Sequence, residues 1–376
     1  MIAVVGTRGF PDVQGGVERH CEELYSRLAA QGFDILVFTR SPYVPNAPKR
    51  SLWRGIRFRK VWTPRSKSLE AIWHSVVCVI LARAAGVRVV HIHAIGPGLA
   101  VPLARALGLR VVFTHHGRDY MRDKWGPMAK RMLRSGEFLA VRYAHHVLAV
   151  SREVEQWVAE RFARTAVYAP NGIEVGPRAS IDVEKTLASF GLQPREYVVT
   201  VARLVPEKGV HDLIDAVVAA EIPTLVVVGD ADHRSRYANG LRAGAPHNVR
   251  FVGAQPHDVT LDLVRGARLF ALPSYHEGLP IALLESLACG TPVVASNIDP
   301  NREVVGNHTN GWLVPPGNVT ELTAALREAW HLDQRKCAAL AQRGIRLVAE
   351  RFSWEHTVNA VTGAYRDLTE VPLRTG

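Results

Sequence analysis

The sequence predicts an α/β protein built as two successive doubly wound, Rossmann-like domains. Three observations predict it. At 376 residues the chain is long enough to bury two separate cores. Short apolar, β-branched runs alternate with amphipathic helical stretches from end to end, the pattern of βα units on parallel sheets. A turn-rich segment, "APNGIEVGPRAS", then divides those runs into two similar sets.

In the first set, "IAVV", "FDILVFT", "VRVVHIH", "LRVVFTH", "HHVLAV" and "AVYAP" read as strands. Between the first two, Val17, Cys21, Leu24 and Leu28 recur at helical spacing, and Gly32 supplies a stop. In the second set, "YVVTV", "TLVVVG", "VRFVG", "RLFALPS", "TPVVAS" and "GWLVP" repeat the pattern. The predicted domains are therefore 1–170 and 171–353. The last stretch, "WEHTVNAVTGAYRDL", reads as an amphipathic helix that on pattern alone can pack on either domain.

Composition is that of a globular protein, 47% hydrophobic and 22% charged. The charge is uneven: residues 1–170 hold 26 of the 46 Lys and Arg but 12 of the 35 Asp and Glu. A basic first half implies an anionic partner, whether nucleic acid, an acidic membrane leaflet or a phosphorylated substrate. Cys21, Cys78, Cys289 and Cys337 lie far apart without metal spacing, which points to a reducing compartment. "MIAVVG" reads as a strand and not as a signal peptide, and the apolar stretch "VVHIHAIGPGLAVPLA" is too short and broken to span a bilayer. A cytoplasmic location follows, with membrane contact only at a surface.

The first strand enters "GTRGFPDVQGGVERHCEEL", where Gly15 and Gly16 immediately precede a helix. Glycines there let backbone N–H groups approach a phosphate, and the helix dipole adds to the attraction. The spacing is not G-x-G-x-x-G, and no acid ends the second strand, which argues against a dinucleotide site. A purely structural use of the glycines in turning stays open.

The second set opens on a strand followed by "VARLVPEKGVHDLI", so Arg203 and Lys208 flank a loop at a strand's carboxyl end. A guanidinium fork and a point-charge ammonium suit a pyrophosphate. Further on, "SYHEGLPIALLESLACG" places Glu277 on a loop and Glu285 inside a helix whose apolar face is already filled by Leu283, Leu284, Leu287 and Ala288. Both carboxylates can then face one cleft. Glu285 suits a vicinal diol such as ribose, and the N–H groups of Gly278 and Leu279 suit hydroxyls or phosphate oxygens.

The E-x7-E pair, the upstream Arg and Lys, the "GGVER" loop and the "PNGI" junction together resemble family 4 of the retaining glycosyltransferases, over nearly the whole chain. "GTRGFPDVQGGVE" and "THHGRDYMRDKWGPMAKRMLRSGE" further resemble a bacterial subgroup that builds surface polysaccharides, including rhamnosyltransferases. The resemblance implies the GT-B fold, two domains facing across a cleft, with the last helix (354–376) crossing back to the first. It implies that Arg203 and Lys208 bind the donor diphosphate, Glu285 the ribose and Glu277 the donor sugar. It further implies that Gly15 and Gly16 approach the phosphate and that His116 lies near the reacting centre. His116 is preferred to its neighbour His115 on alignment with "HG". Glu174 departs from the pattern, where many members have Asp after "NGI".

The reaction so implied is hexosyl transfer from a nucleotide-diphosphate sugar to an acceptor hydroxyl, without a divalent metal or other cofactor. Retention by same-face attack is expected, while Glu277 or Asp119 are the carboxylates a double displacement would need. "DAD" at Asp230 to Asp232 reads as a turn and not as a metal site.

Residues 40–67 carry nine cations and no acid: Arg40, Lys49, Arg50, Arg54, Arg57, Arg59, Lys60, Arg65 and Lys67. Trp53, Phe58 and Trp62 are interleaved, and Lys124, Lys130, Arg131 and Arg134 lie near Trp125, Met128 and Met132. The pattern suits an anionic membrane surface, peripherally bound at the inner face, and hence a lipid-linked oligosaccharide acceptor. No nucleic-acid module accompanies it, so nucleic acid is not an expected partner. The competing functions are a nucleotide-sugar epimerase of the same fold and a non-enzymatic, basic nucleic-acid-binding protein.

Overall fold

The computed structural model describes residues 1–370 apart from 12, 14, 45–51, 65–69, 123–124, 176–182 and 232–234. The chain forms two compact units, Met1–Gly172 together with the segment from Trp354, and Ile173–Ser353.

In the first unit the strands are β1 (Ile2–Val5), β2 (Ile35–Arg40), β3 (Leu52–Trp53), β4 (Ile56–Val61), β5 (Val89–His93), β6 (Arg110–His115), β7 (His146–Ala149) and β8 (Val167–Tyr168). They form one sheet in the order β3-β4-β2-β1-β5-β6-β7-β8, parallel except for the short β3. Strands β1, β2 and β5 are buried along their whole length, as a parallel sheet covered on both faces requires. Alternate residues supply two cores: Ala3, Val5, Phe38 and Ile92 on one face, Ile2, Val4, Val37 and Val112 on the other.

The helix Trp354–Glu370 belongs to this second face, where Val358, Val361 and Tyr365 join the core. Thr357 Oγ1 donates to the Pro170 carbonyl at 2.7 Å, and the Arg27 guanidinium lies 4.7 Å over the Trp354 ring. Strand β4 was hidden in the sequence: "IRFRKV" reads as a basic surface because four of its six side chains are not buried. It pairs with β2 from Ile35–Ile56 to Arg40–Val61.

In the second unit the strands are β9 (Val198–Val201), β10 (Leu225–Val228), β11 (Val249–Gly253), β12 (Leu269–Leu272), β13 (Val293–Ser296) and β14 (Gly311–Val314). All are parallel, in the order β11-β10-β9-β12-β13-β14. In both sheets the chain winds outward in one direction from its first strand and then returns to wind in the other. The switch points lie between β1 and β5 and between β9 and β12. Crevices at such points, outside the carboxyl ends of the strands, are where doubly wound sheets bind ligands.

Candidate active site

In the second unit, two loops leave the sheet side by side at its switch point. After β9 the chain passes Arg203, forms the short turn Pro206–Lys208, and enters the helix Val210–Ala219. After β12 it passes Tyr275 and Glu277 and enters the helix Ile281–Ala288 behind Pro280. The loops are locked together. Tyr275 N–H donates to the Glu207 carbonyl at 2.9 Å, and Tyr275 Oη donates to Asp212 at 2.6 Å. Gly209 adopts φ 63°, and a Cβ there would stand 2.3 Å from the Pro273 carbonyl oxygen, so only glycine permits this approach.

That lock brings Lys208 and Glu277 together: Lys208 Nζ lies 2.6 Å from Glu277 Oε1, with the side chains 14% and 9% exposed. Arg203, two residues beyond β9, is half-buried at the same edge. Leu279 is buried, while Gly278 keeps partial exposure. Glu285 lies one turn into the helix Ile281–Ala288 and is also half-buried. Its Oε1 is 3.6 Å from Nε2 of His257, the first residue of the helix His257–Gly266. His257 neighbours a candidate site residue and was missed by sequence reasoning, since no spacing links it to Glu285.

In the first unit the switch-point loop after β1 reaches the helix Gly16–Ala30 through Gly15 at φ 151°. The Glu18 carboxylate fills the space where a side chain at residue 15 would stand, 2.1 Å from the Cβ position, and accepts from Arg8 N–H at 3.2 Å. One backbone N–H of this loop, that of Arg8, is thus taken by a carboxylate. Arg40 props it from below, its guanidinium 3.1 Å from the Gly6 carbonyl and 3.1 Å from Glu70. Buried in this way, Arg40 is not part of the basic surface to which its sequence neighbourhood assigned it.

The choice between the paired histidines after β6 is decided by hydrogen bonding. His115 Nδ1 accepts from Gly117 N–H at 3.1 Å, so its proton sits on Nε2 and is donated to Glu137 at 2.8 Å. Both nitrogens are used, and the ring is fully buried. His116 is mostly buried; its Nε2 meets His93 Nδ1 at 2.9 Å, and its ring centroid is 5.6 Å from that of His20. Burial, followed by the neighbouring imidazoles His91 and His115, lowers its pKa to about 3.

These placements can be set beside known proteins. Residues 182–347 match the family described as Glycosyl transferases group 1, and residues 14–176 match Glycosyltransferase Family 4. A 2-deoxystreptamine N-acetyl-D-glucosaminyltransferase of Streptomyces fradiae is 30% identical over 353 residues, spanning 85% of this chain and 83% of that one. The chain belongs to glycosyltransferase family 4. Two solved structures share the fold of this glycosyltransferase along its length. Sucrose-phosphate synthase of Thermosynechococcus elongatus superposes with a TM-score of 0.83 at 25% identity, covering 98% of both chains. Anabaena HepE in complex with UDP-glucose gives a TM-score of 0.80 at 21% identity, covering 97% of this chain and 99% of the other. Two Rossmann-like parallel-sheet units of the GT-B type are thus the architecture of an enzyme that transfers glycosyl groups.

Other expectations for the glycosyltransferase need revision. Trp53 and Phe58 are not surface anchors, because both pack edge-on against Phe10 at 6.3 and 5.4 Å. Trp125 packs against the first core. Trp62 is 67% exposed and meets Trp73, 49% exposed, at a ring separation of 6.4 Å. Of the cations, Arg57, Arg59 and Lys60 are exposed on β4, and Arg57 pairs with Asp34 at 2.5 Å. Lys49, Arg50, Arg65, Lys67 and Lys124 lie outside the described residues. Asp230 is held by Arg242 at 2.5 Å and by Ala231 N–H at 2.7 Å, while Asp232 lies outside the described residues. Among the described residues no helix is long and apolar enough to cross a membrane.

Proposed function

We infer that this glycosyltransferase moves a hexosyl group from a nucleoside-diphosphate sugar to a saccharide hydroxyl, with retention at the anomeric carbon, in polysaccharide assembly. The observation that carries the reading is the Lys208–Glu277 pair at the β9/β12 switch point. Breaking the anomeric C–O bond sends its electron pair onto the departing diphosphate. Cations fixed before the reaction meet that charge without reorganising, and each well-placed group contributes about 3 kcal/mol to lowering the barrier. Lys208 is fixed by Glu277, and an ammonium with three donors keeps capacity for phosphate oxygens. Arg203 adds the fork.

In this reading Arg203 and Lys208 supply the charge that a divalent metal supplies in other transferases. In the second unit Glu285 accepts from the two ribose hydroxyls, and Glu277 with the Gly278 and Leu279 N–H groups holds the sugar. In the first unit His116 and the backbone of Gly15 and Gly16 are the groups that the family resemblance assigns to substrate. The acceptor oxygen forms the new bond on the face from which the leaving group departs, and its proton passes to the departing phosphate oxygen. The single-step course is adopted because it needs no enzyme nucleophile; Glu277 pairs with Lys208 at 2.6 Å and Asp119 with Arg122 at 3.2 Å.

The acceptor is proposed to be lipid-linked and met at an anionic membrane surface, the support being the exposed Trp62–Trp73 pair and, on the strand that Trp62 follows in the chain, the exposed Arg59 and Lys60. A thermal-shift and turnover screen over nucleotide sugars, with Glu285→Ala and Lys208→Ala as controls, tests the core of the reading. A nucleoside diphosphate should stabilise the wild type and not the variants; equal response of all three would discard the site. Donor conversion without an acceptor would assign the epimerase reading instead.

A further inference from the structure

Strand β5 reads Val-Val-His-Ile-His, and the two-residue period of a strand puts His91 and His93 on one face. Their rings stack with centroids 4.2 Å apart. Two tyrosines from different helices reach that face, Tyr25 of Gly16–Ala30 and Tyr365 of Trp354–Glu370, both fully buried. Together they form one hydrogen-bonded chain. Tyr365 Oη lies 2.6 Å from His91 Nδ1; Tyr25 Oη lies 2.9 Å from that nitrogen and 2.6 Å from His93 Nε2. His93 Nδ1 meets His116 Nε2 at 2.9 Å, and His91 Nε2 meets Thr114 Oγ1 at 2.6 Å.

Burial holds His91 at about 3 and His93 well below the ordinary imidazole value, so near neutral pH each ring carries a single proton. A neutral imidazole donates through one nitrogen and accepts through the other. The direction of each bond therefore dictates the next. A phenol is the stronger donor and an imidazole nitrogen the stronger acceptor. Tyr365 fills the one lone pair of His91 Nδ1 at the shorter distance, and Tyr25, which is also within hydrogen-bond reach of the Tyr365 hydroxyl, gives its proton to the better acceptor, His93 Nε2. His93 must then carry its proton on Nδ1 and donate it to His116 Nε2. The proton of His116 is left on Nδ1.

We propose that Tyr365, Tyr25, His91 and His93 are positioning residues that hold His116 as the Nδ1–H tautomer. The nitrogen not engaged by His93 is then a hydrogen-bond donor and not a base. The titratable groups facing His116 are His20 from the helix Gly16–Ala30, His91 and His93 from β5, and His115 beside it. All are imidazoles, and each disfavours charge on the others. The final helix of the chain thereby sets the protonation of a residue at the edge of the first sheet. The importance of this donor for a bound sugar rests on the proposed function; the tautomer itself does not.

The test is long-range proton–nitrogen correlation spectroscopy on the full chain labelled with nitrogen-15 at histidine, with the His116 signals assigned by their loss in His116→Asn. The wild type should show His116 protonated at Nδ1. In Tyr365→Phe the Tyr25 proton turns to His91, His93 takes its own proton at Nε2, and His116 shifts to the Nε2–H form. Tyr25→Phe leaves His93 Nε2 without a partner, so the preference for the His93 Nδ1–H form is no longer enforced and His116 should show both tautomers; each variant removes a single oxygen. A wild-type His116 protonated at Nε2, or one tautomer shared by the wild type and both variants, would overturn the proposal. Donor turnover is read separately: no turnover with the tautomer shift present leaves the relay standing and removes the function. Turnover that Glu285→Ala abolishes, together with a His116 spectrum unchanged in Tyr365→Phe and Tyr25→Phe, removes the relay alone.

Discussion

The Lys208 ammonium lies 2.6 Å from the Glu277 carboxylate, although 69 positions separate the two residues in the chain. They meet because β9 and β12 are neighbours in the sheet and the loops that follow them are locked by Tyr275 and Gly209. Lys208→Ala should lower kcat/KM by about 10²-fold or more, from loss of charge stabilisation at the leaving group. A double-mutant cycle with Glu277→Gln, followed by urea unfolding, should give a coupling of about 1–3 kcal/mol. A coupling of zero would mean that the pair does not hold the ammonium in place.

Glu285 and His257 approach to 3.6 Å. Glu285→Ala should weaken nucleoside-diphosphate binding by about tenfold to a hundredfold, the loss of hydrogen bonds to a charged acceptor. His257→Ala should weaken it less, because it removes only an orienting contact. Isothermal titration with the nucleotide measures both, and a stronger effect of His257→Ala would reverse the assigned roles.

Gly209→Ala places a side chain in the left-handed region and against the Pro273 carbonyl. A cost of about 2 kcal/mol or more is expected, with reduced turnover as the two loops separate. Chemical denaturation and steady-state kinetics on the same variant check it; a wild-type midpoint would contradict the described loop contact.

Burial lowers His20 and His91 to about 3. A folded-state pKa below the unfolded value means that the unfolded chain binds more protons between the two. Stability contributed by the neutral rings is therefore fully present above about pH 6.5 and is lost as pH falls toward 3, at about 1.4 kcal/mol per ring per pH unit. Unfolding free energies measured from pH 7 to pH 4 should fall with that slope, and His20→Leu should remove about one proton from it. A flat profile in this range would show that the rings are not held neutral.

Trp62 and Trp73 are exposed together, and Trp62 follows in the chain the strand that carries the exposed Arg59 and Lys60. Sedimentation with vesicles containing anionic lipid should carry the protein down, more strongly than with neutral vesicles, and Trp62→Ala with Trp73→Ala should reduce the bound fraction several-fold. Equal binding to both vesicle types would count against an anionic surface as the partner.

Much was legible in the chain itself. Twelve apolar runs announced the two parallel sheets because strands buried on both faces must be apolar along their length, and the glycines at strand ends announced the loops. The positions of Arg203, Lys208, Glu277 and Glu285 at strand ends and helix starts were readable for the same reason. Strand β4 was not, because only the two-residue β3 lies beyond it, four of its six side chains stay unburied, and its charged residues resemble a basic surface.

Contacts between distant segments belonged to the tertiary structure. Local periodicity says which face a residue occupies and nothing about what stands opposite. Packing alone selected Glu277 as the partner of Lys208, His257 as the partner of Glu285, and Glu137 as the acceptor that commits His115 and leaves His116 available. The same holds for Tyr365, 274 positions from His91: its hydroxyl reaches the strand only because the final helix docks on the first unit. Sequence determined the sheets and their loops, and the burial of those helices against them decided which polar groups must find one another.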